Sequence, residues 1–169
     1  MNTEQIGLGG SCHWCTESIF QSVRGVGEVR QGWISSTGDD SAPSEAVLVA
    51  FNPEVAPRHL LIAIHLATHA STSRHSFRNK YRSAIYVFTD QQASEAGNSI
   101  SSLERESGET FITRVLPFVS FTENRESLLN YYRTRPDAPF CSAYIIPKLA
   151  LLRERFPSHF IGISGETPL

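Results

Sequence analysis

The chain has 169 residues, 40% of them hydrophobic, which suits one domain over residues 1–169 with a sizeable core and leaves no room for a second. Its 15 basic and 17 acidic residues nearly cancel, excluding the strong field that would draw nucleic acid, an anionic membrane surface or a highly charged substrate. The opening Met1-Asn2-Thr3-Glu4-Gln5 lacks the basic and apolar regions of a signal peptide, and no later stretch is long and apolar enough to span a bilayer, so a cytoplasmic, monomeric protein away from the membrane is expected.

Gln5 to Leu8 reads as a short strand, ended by Gly9-Gly10, where two glycines allow a tight turn. From His13 to about Arg24 the apolar residues Trp14, Ile19, Phe20 and Val23 recur at helical spacing, and Gly25-Val26-Gly27 stops the helix. A strand from Val29 through Trp33-Ile34 leads into a polar loop over 35–43, and Glu45 to Phe51 resumes as a strand. Ala56-Pro57 opens a second helix carrying Leu60, Leu61, Ile64 and Leu66. Residues 68–82 have no apolar period and many hydrogen-bonding side chains, which places them in a loop suited to function. Ser83 to Phe88 then reads as a strand, Gln91 to Glu106 as a helix and Thr110 to Leu116 as a strand that Phe118 to Phe121 extends or pairs with. A turn at Pro136-Asp137-Ala138-Pro139 and a closing helix from Ile146 to Phe156 finish the chain. The βαββαβ order predicts an α+β fold, a two-layer sandwich with a ferredoxin-like core and an extended C-terminal segment.

Three cysteines is an odd number, which argues against a secreted disulfide framework and for thiols kept reduced. Cys12 falls where the first helix begins, and there free backbone N–H groups and the positive end of the helix dipole favour a thiolate, which marks it as a nucleophile. Cys15 completes a C-x-x-C pair, a pattern that by itself fits catalysis, metal binding or a structural role. Zinc would want four ligands, and with no second C-x-x-C no metal is expected.

Gly10-Ser11-Cys12-His13-Trp14-Cys15-Thr16-Glu17-Ser18-Ile19-Phe20 resembles the Gly-Cys-Phe-Trp-x-x-Glu-x-x-Phe signature of the A-class peptide methionine sulfoxide reductases, and Tyr81-Arg82-Ser83-Ala84-Ile85-Tyr86 resembles that family's second signature. The neighbourhoods of Trp33, Glu45 and Asn52-Pro53 fall at suitable intervals between the two. The resemblance implies a peptide-methionine (S)-S-oxide reductase that acts on methionine sulfoxide, free or in oxidised proteins. It would hold no bound cofactor and use thioredoxin as the external thiol reductant. It implies Cys12 as nucleophile, Glu45 as the acid that protonates the departing oxygen, Tyr81 as a hydroxyl on the same oxygen and Cys141 as the resolving thiol on a mobile C-terminal segment. Cys15, at i+3 in a helix, would need local distortion to resolve instead. Substrate-binding positions would be His13, Trp14, Trp33 and Ser76. Of these, His13 stands for a usual phenylalanine, Trp33 for a frequent tyrosine and Ser76 for a loop aspartate, while Lys80 replaces a common glutamine. These departures leave two other readings open: a binding protein on the same fold with impaired turnover, and a dithiol oxidoreductase cycling Cys12 and Cys15.

Overall fold

In the computed structural model, which describes residues 2–74, 78 and 80–162, the chain is built outward from β1 (Glu4–Gly9). Ile6 and Leu8 on this strand are fully buried against the helices, as the alternation of a strand requires. β1 lies between β3 (Ser44–Phe51) and β4 (Ala84–Val87), antiparallel to both, and β3 pairs in turn with β2 (Val26–Ser35). Two edge strands complete a sheet of order β5-β4-β1-β3-β2-β6. β5 (Arg114–Pro117) is parallel to β4, and β6 (Ser120–Glu123) is antiparallel to β2.

The helices α1 (His13–Gln21), α2 (Arg58–Thr68), α3 (Asp90–Ser107) and α5 (Ile146–Arg155) bury Ile19, Phe20, Leu61, Ile64, Ile100, Leu149 and Leu152 in one cluster with Val47, Val49, Phe51, Ile85 and Val87 of the sheet. Each such side chain stabilises the fold by about 1.5–3 kcal/mol relative to exposure. The opposite sheet face carries a smaller cluster of Ile34, Ala46, Ala84 and Tyr86, over which Arg82 reaches to bond Tyr86 Oη at 3.0 Å and the Ile34 carbonyl at 3.1 Å. A mixed sheet with helices against it makes the fold α+β.

Several elements differ from the sequence reading. α1 stops at Gln21 because the chain tightens, with Ser22 N–H bonding the Ile19 carbonyl and Val23 N–H the Phe20 carbonyl, and Val23 then bridges Phe160. β2 starts earlier than expected and takes in Gly27, passing an irregularity between Val26 and Val29. Gly32 is required on it, since a Cβ there would lie 2.0 Å from the Thr122 carbonyl oxygen of β6. Phe118 to Phe121 does not extend the preceding strand. Phe118 N–H bonds the Val87 carbonyl and Val119 N–H the Ser35 carbonyl, so the chain crosses the sheet and β6 pairs at the far edge. The C-terminal part forms α4 (Tyr131–Thr134) and a π-helical turn over Cys141–Ile145 that runs into α5, with Cys141 fully buried where a mobile segment was expected.

Candidate active site

Gly9 ends β1 and Gly10, at φ 143°, turns the chain into α1, packed so closely on His69 that a Cβ would lie 2.6 Å from the imidazole. Cys12 is the N-cap, with φ −53° and ψ 129° outside the helical region, and its carbonyl accepts the N–H groups of Cys15 at 3.1 Å and Thr16 at 3.2 Å. Helix-interior geometry therefore does not keep the thiols of Cys12 and Cys15 apart. Each thiol acts on the ionisation of the other through a hydrogen bond between them. That bond, followed by burial, holds the Cys12 thiol well above its usual range, against the pull of the Trp14 amide. The same bond draws Cys15 below its usual range with help from Lys148 on α5. The pair therefore gives up one proton readily and a second with difficulty.

Glu45 lies at the start of β3 opposite Trp33 of β2, and it is only 6% exposed. Burial raises its pKa, while Lys80, the Tyr81 hydroxyl and the His13 backbone amide pull the other way. Its Oε1 lies 3.0 Å from His13 Nε2, whereas Oε2 is buried, 4.0 Å from Lys80 Nζ, with no good hydrogen bond among the described residues. The Lys80 ammonium also stands 5.1 Å from the centre of the Tyr81 ring. Tyr81 is drawn in by Arg78, whose Nη1 donates to the Gly10 carbonyl at 2.8 Å and to the Tyr81 carbonyl at 2.9 Å, tying the loop to the Cys12 turn.

Cys12, Cys15 and Tyr81 line a cavity of about 460 Å³ whose remaining wall is Phe140, Tyr144 and Lys148 from the C-terminal part together with Gly10, Ser11 and Ala70. A larger cleft of about 730 Å³ between α2 and the end of α3 contains no thiol. Glu45 does not line the thiol cavity, but it is near enough to Cys12 that its carboxylate, once ionised, would help keep that thiol protonated. Trp14 stacks flat on Tyr131, ring centres 4.1 Å apart and 4° from parallel, and Trp33 meets the His13 ring edge-on at 5.1 Å, so neither indole lines the cavity. Cys141 is outside the cavity as well, its thiol donating to the Arg135 carbonyl at 3.1 Å, yet close enough to Cys15 for their charges to interact. Ser76 lies outside the described residues. Among the described residues no group of three His, Cys, Asp or Glu is placed to hold a metal, and no helix is long and apolar enough to cross a membrane.

Sequence reasoning missed Lys148, which reads as an ordinary surface cation on a closing helix, and Asn124 and Gln31, which carry no motif at all. Asn124 Nδ2 donates to Gln31 Oε1 at 2.7 Å and lies 3.3 Å from His13 Nε2, so a residue beyond β6 enters the site through the crossing that the sequence did not disclose.

An α+β domain with a C-x-x-C thiol pair at the start of the first helix and a buried carboxyl beside it defines a class of redox-competent thiol proteins. Within that class the chain belongs to the peptide methionine sulfoxide reductase family, whose model matches residues 4–159. It is 34% identical to peptide methionine sulfoxide reductase MsrA of Ralstonia nicotianae over 88% of each chain, and 30% identical to MsrA of Psychrobacter arcticus over 92% of this chain and 97% of that one. Among solved structures it is similar to methionine sulfoxide reductase A of Corynebacterium diphtheriae, with a TM-score of 0.66 and 20% identity over 80% of this chain and 76% of the other. It is also similar to Mxr1 of Saccharomyces cerevisiae in complex with Trx2, at a TM-score of 0.57 and 19% identity over 73% of this chain and 82% of that one.

Proposed function

We propose that this protein is a peptide-methionine (S)-S-oxide reductase that returns methionine S-sulfoxide, free or in oxidised proteins, to methionine. The observation that carries the reading is the half-buried Cys12 thiol at a helix start, on the wall of a cavity, with the buried Glu45 carboxyl inclined towards its protonated form within electrostatic reach. Cys12 passes its thiol proton to the Cys15 thiolate and its sulfur attacks the sulfoxide sulfur while Glu45 gives its proton to the oxygen, which would otherwise leave poorly, and the Tyr81 hydroxyl bonds the same oxygen. The hydroxyl passes to Cys12, oxidised to a sulfenic acid as the substrate sulfur is reduced to a thioether, and Glu45 recovers a proton from water.

With Cys15 on the same cavity wall as Cys12 and acting on its ionisation, the Cys15 thiol condenses with the sulfenic acid to a Cys12–Cys15 disulfide and water. The Cys141 thiol then attacks Cys15, giving a Cys15–Cys141 disulfide and freeing Cys12. Thioredoxin, as external reductant, returns that disulfide to two thiols. The family and the likeness to a yeast protein solved with Trx2 support this assignment. We also assign β1-α1-β2-β3-α2-β4, with its sheet order β4-β1-β3-β2, to the ferredoxin-like pattern, because all its neighbouring strands are antiparallel.

Racemic methyl sulfoxide with dithiothreitol tests the chemistry: consumption of the S epimer alone is expected, and its loss in Cys12→Ser. Full turnover by that variant overturns the reading. Cys141→Ser is expected to keep dithiothreitol-driven turnover and lose the thioredoxin-driven reaction, and equal loss in both assays rejects its role.

A further inference from the structure

His13 is 3% exposed and is held on every polar atom of its ring. Nδ1 donates to the Gly32 carbonyl of β2 at 2.8 Å. Nε2 faces two groups, Glu45 Oε1 at 3.0 Å and Asn124 Nδ2 at 3.3 Å. The orientation of Asn124 is fixed independently, because its Oδ1 accepts the Arg125 N–H at 2.8 Å and its Nδ2 donates to Gln31 Oε1 at 2.7 Å. A carbonyl on one ring nitrogen and an amide donor by the other select the neutral tautomer with the proton on Nδ1 and a lone pair on Nε2. That lone pair can bond Glu45 Oε1 only if Glu45 carries a proton there, since a carboxylate would set two lone pairs against each other at 3.0 Å.

Resting on the reading of Glu45 as the acid, we propose that His13 is a positioning residue. Its Nε2 accepts a hydrogen bond from the protonated Glu45 carboxyl, and with Gly32 and Asn124 it keeps that carboxyl neutral between turnovers. No step beyond the proton donation already described is required. The Glu45 proton goes to the sulfoxide oxygen, and the pair regains one from water. Burial acts in the same direction on both partners, lowering the His13 pKa and raising that of Glu45. The groups facing the pair are Cys12 from α1, the Gly32 carbonyl and Trp33 from β2, Lys80 and Tyr81 from the loop, and Asn124 backed by Gln31. Of these only the Lys80 ammonium carries a full opposing charge. At 4.0 Å from Oε2, with its side chain 64% exposed, it is screened by solvent.

The experiment is the pH dependence of kcat/KM with racemic methyl sulfoxide and dithiothreitol, for wild type, His13→Phe, His13→Gln and Glu45→Gln, alongside infrared difference spectra at neutral pH. Wild type minus Glu45→Gln is expected to show the C=O stretch of a protonated carboxyl. His13→Phe is expected to weaken that band and move the alkaline limb down by about one pH unit. His13→Gln, whose amide offers a donor for Gly32 and an acceptor for Glu45, is expected to restore both at least in part. The acid limb, which reports the thiol pair, stays in place. The proposal is overturned if His13→Phe leaves the band and limb unmoved, if it moves the limb upward, or if wild type shows no Glu45 band. If Glu45→Gln retains full turnover while the band still responds to His13, the assignment of Glu45 as the acid fails and the proton-sharing pair stands.

Discussion

At the scale of single residues the site is a set of groups each held by a bond that fixes its charge. Cys12 and Cys15 titrate as a pair, and Lys148 is the cation that favours loss of the Cys15 proton. Replacing Lys148 with Met keeps the length of the stem and removes that charge, so thiol ionisation is expected to move to higher pH. The rate of alkylation by iodoacetamide against pH measures it, and an unmoved midpoint rules the lysine out. Cys12 was marked in the sequence by its place at a helix start, whereas Glu45 and Tyr81 were singled out only through the family resemblance of the stretches that carry them. Lys148 and Asn124 were not, since a lysine on a closing helix and an asparagine after a strand acquire meaning only from what packs opposite them. His13 was legible only as a departure. Its partner Gly32 lies 19 residues on and Asn124 lies 111 residues on, and only a fold joins them.

The elements around the site hold it by the backbone. Glu17 of α1 accepts the N–H groups of Asn130 and Tyr131 at 3.0 Å each, which clamps the start of α4 onto the catalytic helix and brings Tyr131 under Trp14. Gly10 makes the turn itself, and Gly10→Ala would combine a φ of 143° with a Cβ 2.6 Å from the His69 ring. A loss of about 2–3 kcal/mol in urea unfolding is expected, from backbone strain and the forced shift of a half-buried imidazole. A loss within ±0.5 kcal/mol would show that the turn relaxes freely. Most elements were legible from periodicity: the start of α1, β3, α2, β4 and α3 begin or end within a residue or two of the places their patterns mark. β2 was read short because Gly27 looks like a helix stop although the strand absorbs it. Cys141 was read as mobile because Pro136 and Pro139 suggest a loop, whereas Phe140 packs on Trp14 and draws the following turn into the core.

At the scale of the whole molecule, the crossing that carries β6 to the far edge of the sheet was illegible, because its pairing with β2 is set by contacts some ninety residues apart in sequence. Beneath the Cys12 turn runs a buried polar column with a consequence of its own. His65 Nε2 lies 2.7 Å from the Gly9 carbonyl, His69 stacks on His65 at 4.1 Å, and His69 Nε2 meets Ser83 Oγ at 2.8 Å, which in turn meets Thr113 Oγ1 at 2.7 Å. The column ties β1, α2 and the residues that lead into the parallel strands β4 and β5 together using neutral imidazoles. Burial pulls the His65 pKa down to about 4, and burial followed by the neighbouring His65 pulls His69 well below its usual value. The unfolded chain takes up protons on both rings near pH 6.5, whereas the folded chain resists until lower pH. Their contribution to stability is therefore complete above pH 6.5 and is lost as pH falls towards 4, at about 1.4 kcal/mol per unit for each ring. Glu17 and Glu45, raised by burial, contribute the opposite slope, so the His65 share is isolated by a variant rather than by wild type alone. Between pH 6.5 and 5, urea unfolding of wild type is expected to lose roughly 1–2 kcal/mol more than that of His65→Gln, which cannot titrate. Parallel stability curves for the two proteins would mean that the ring is charged in the fold, and the column would then have to be held by imidazolium rather than by neutral histidine.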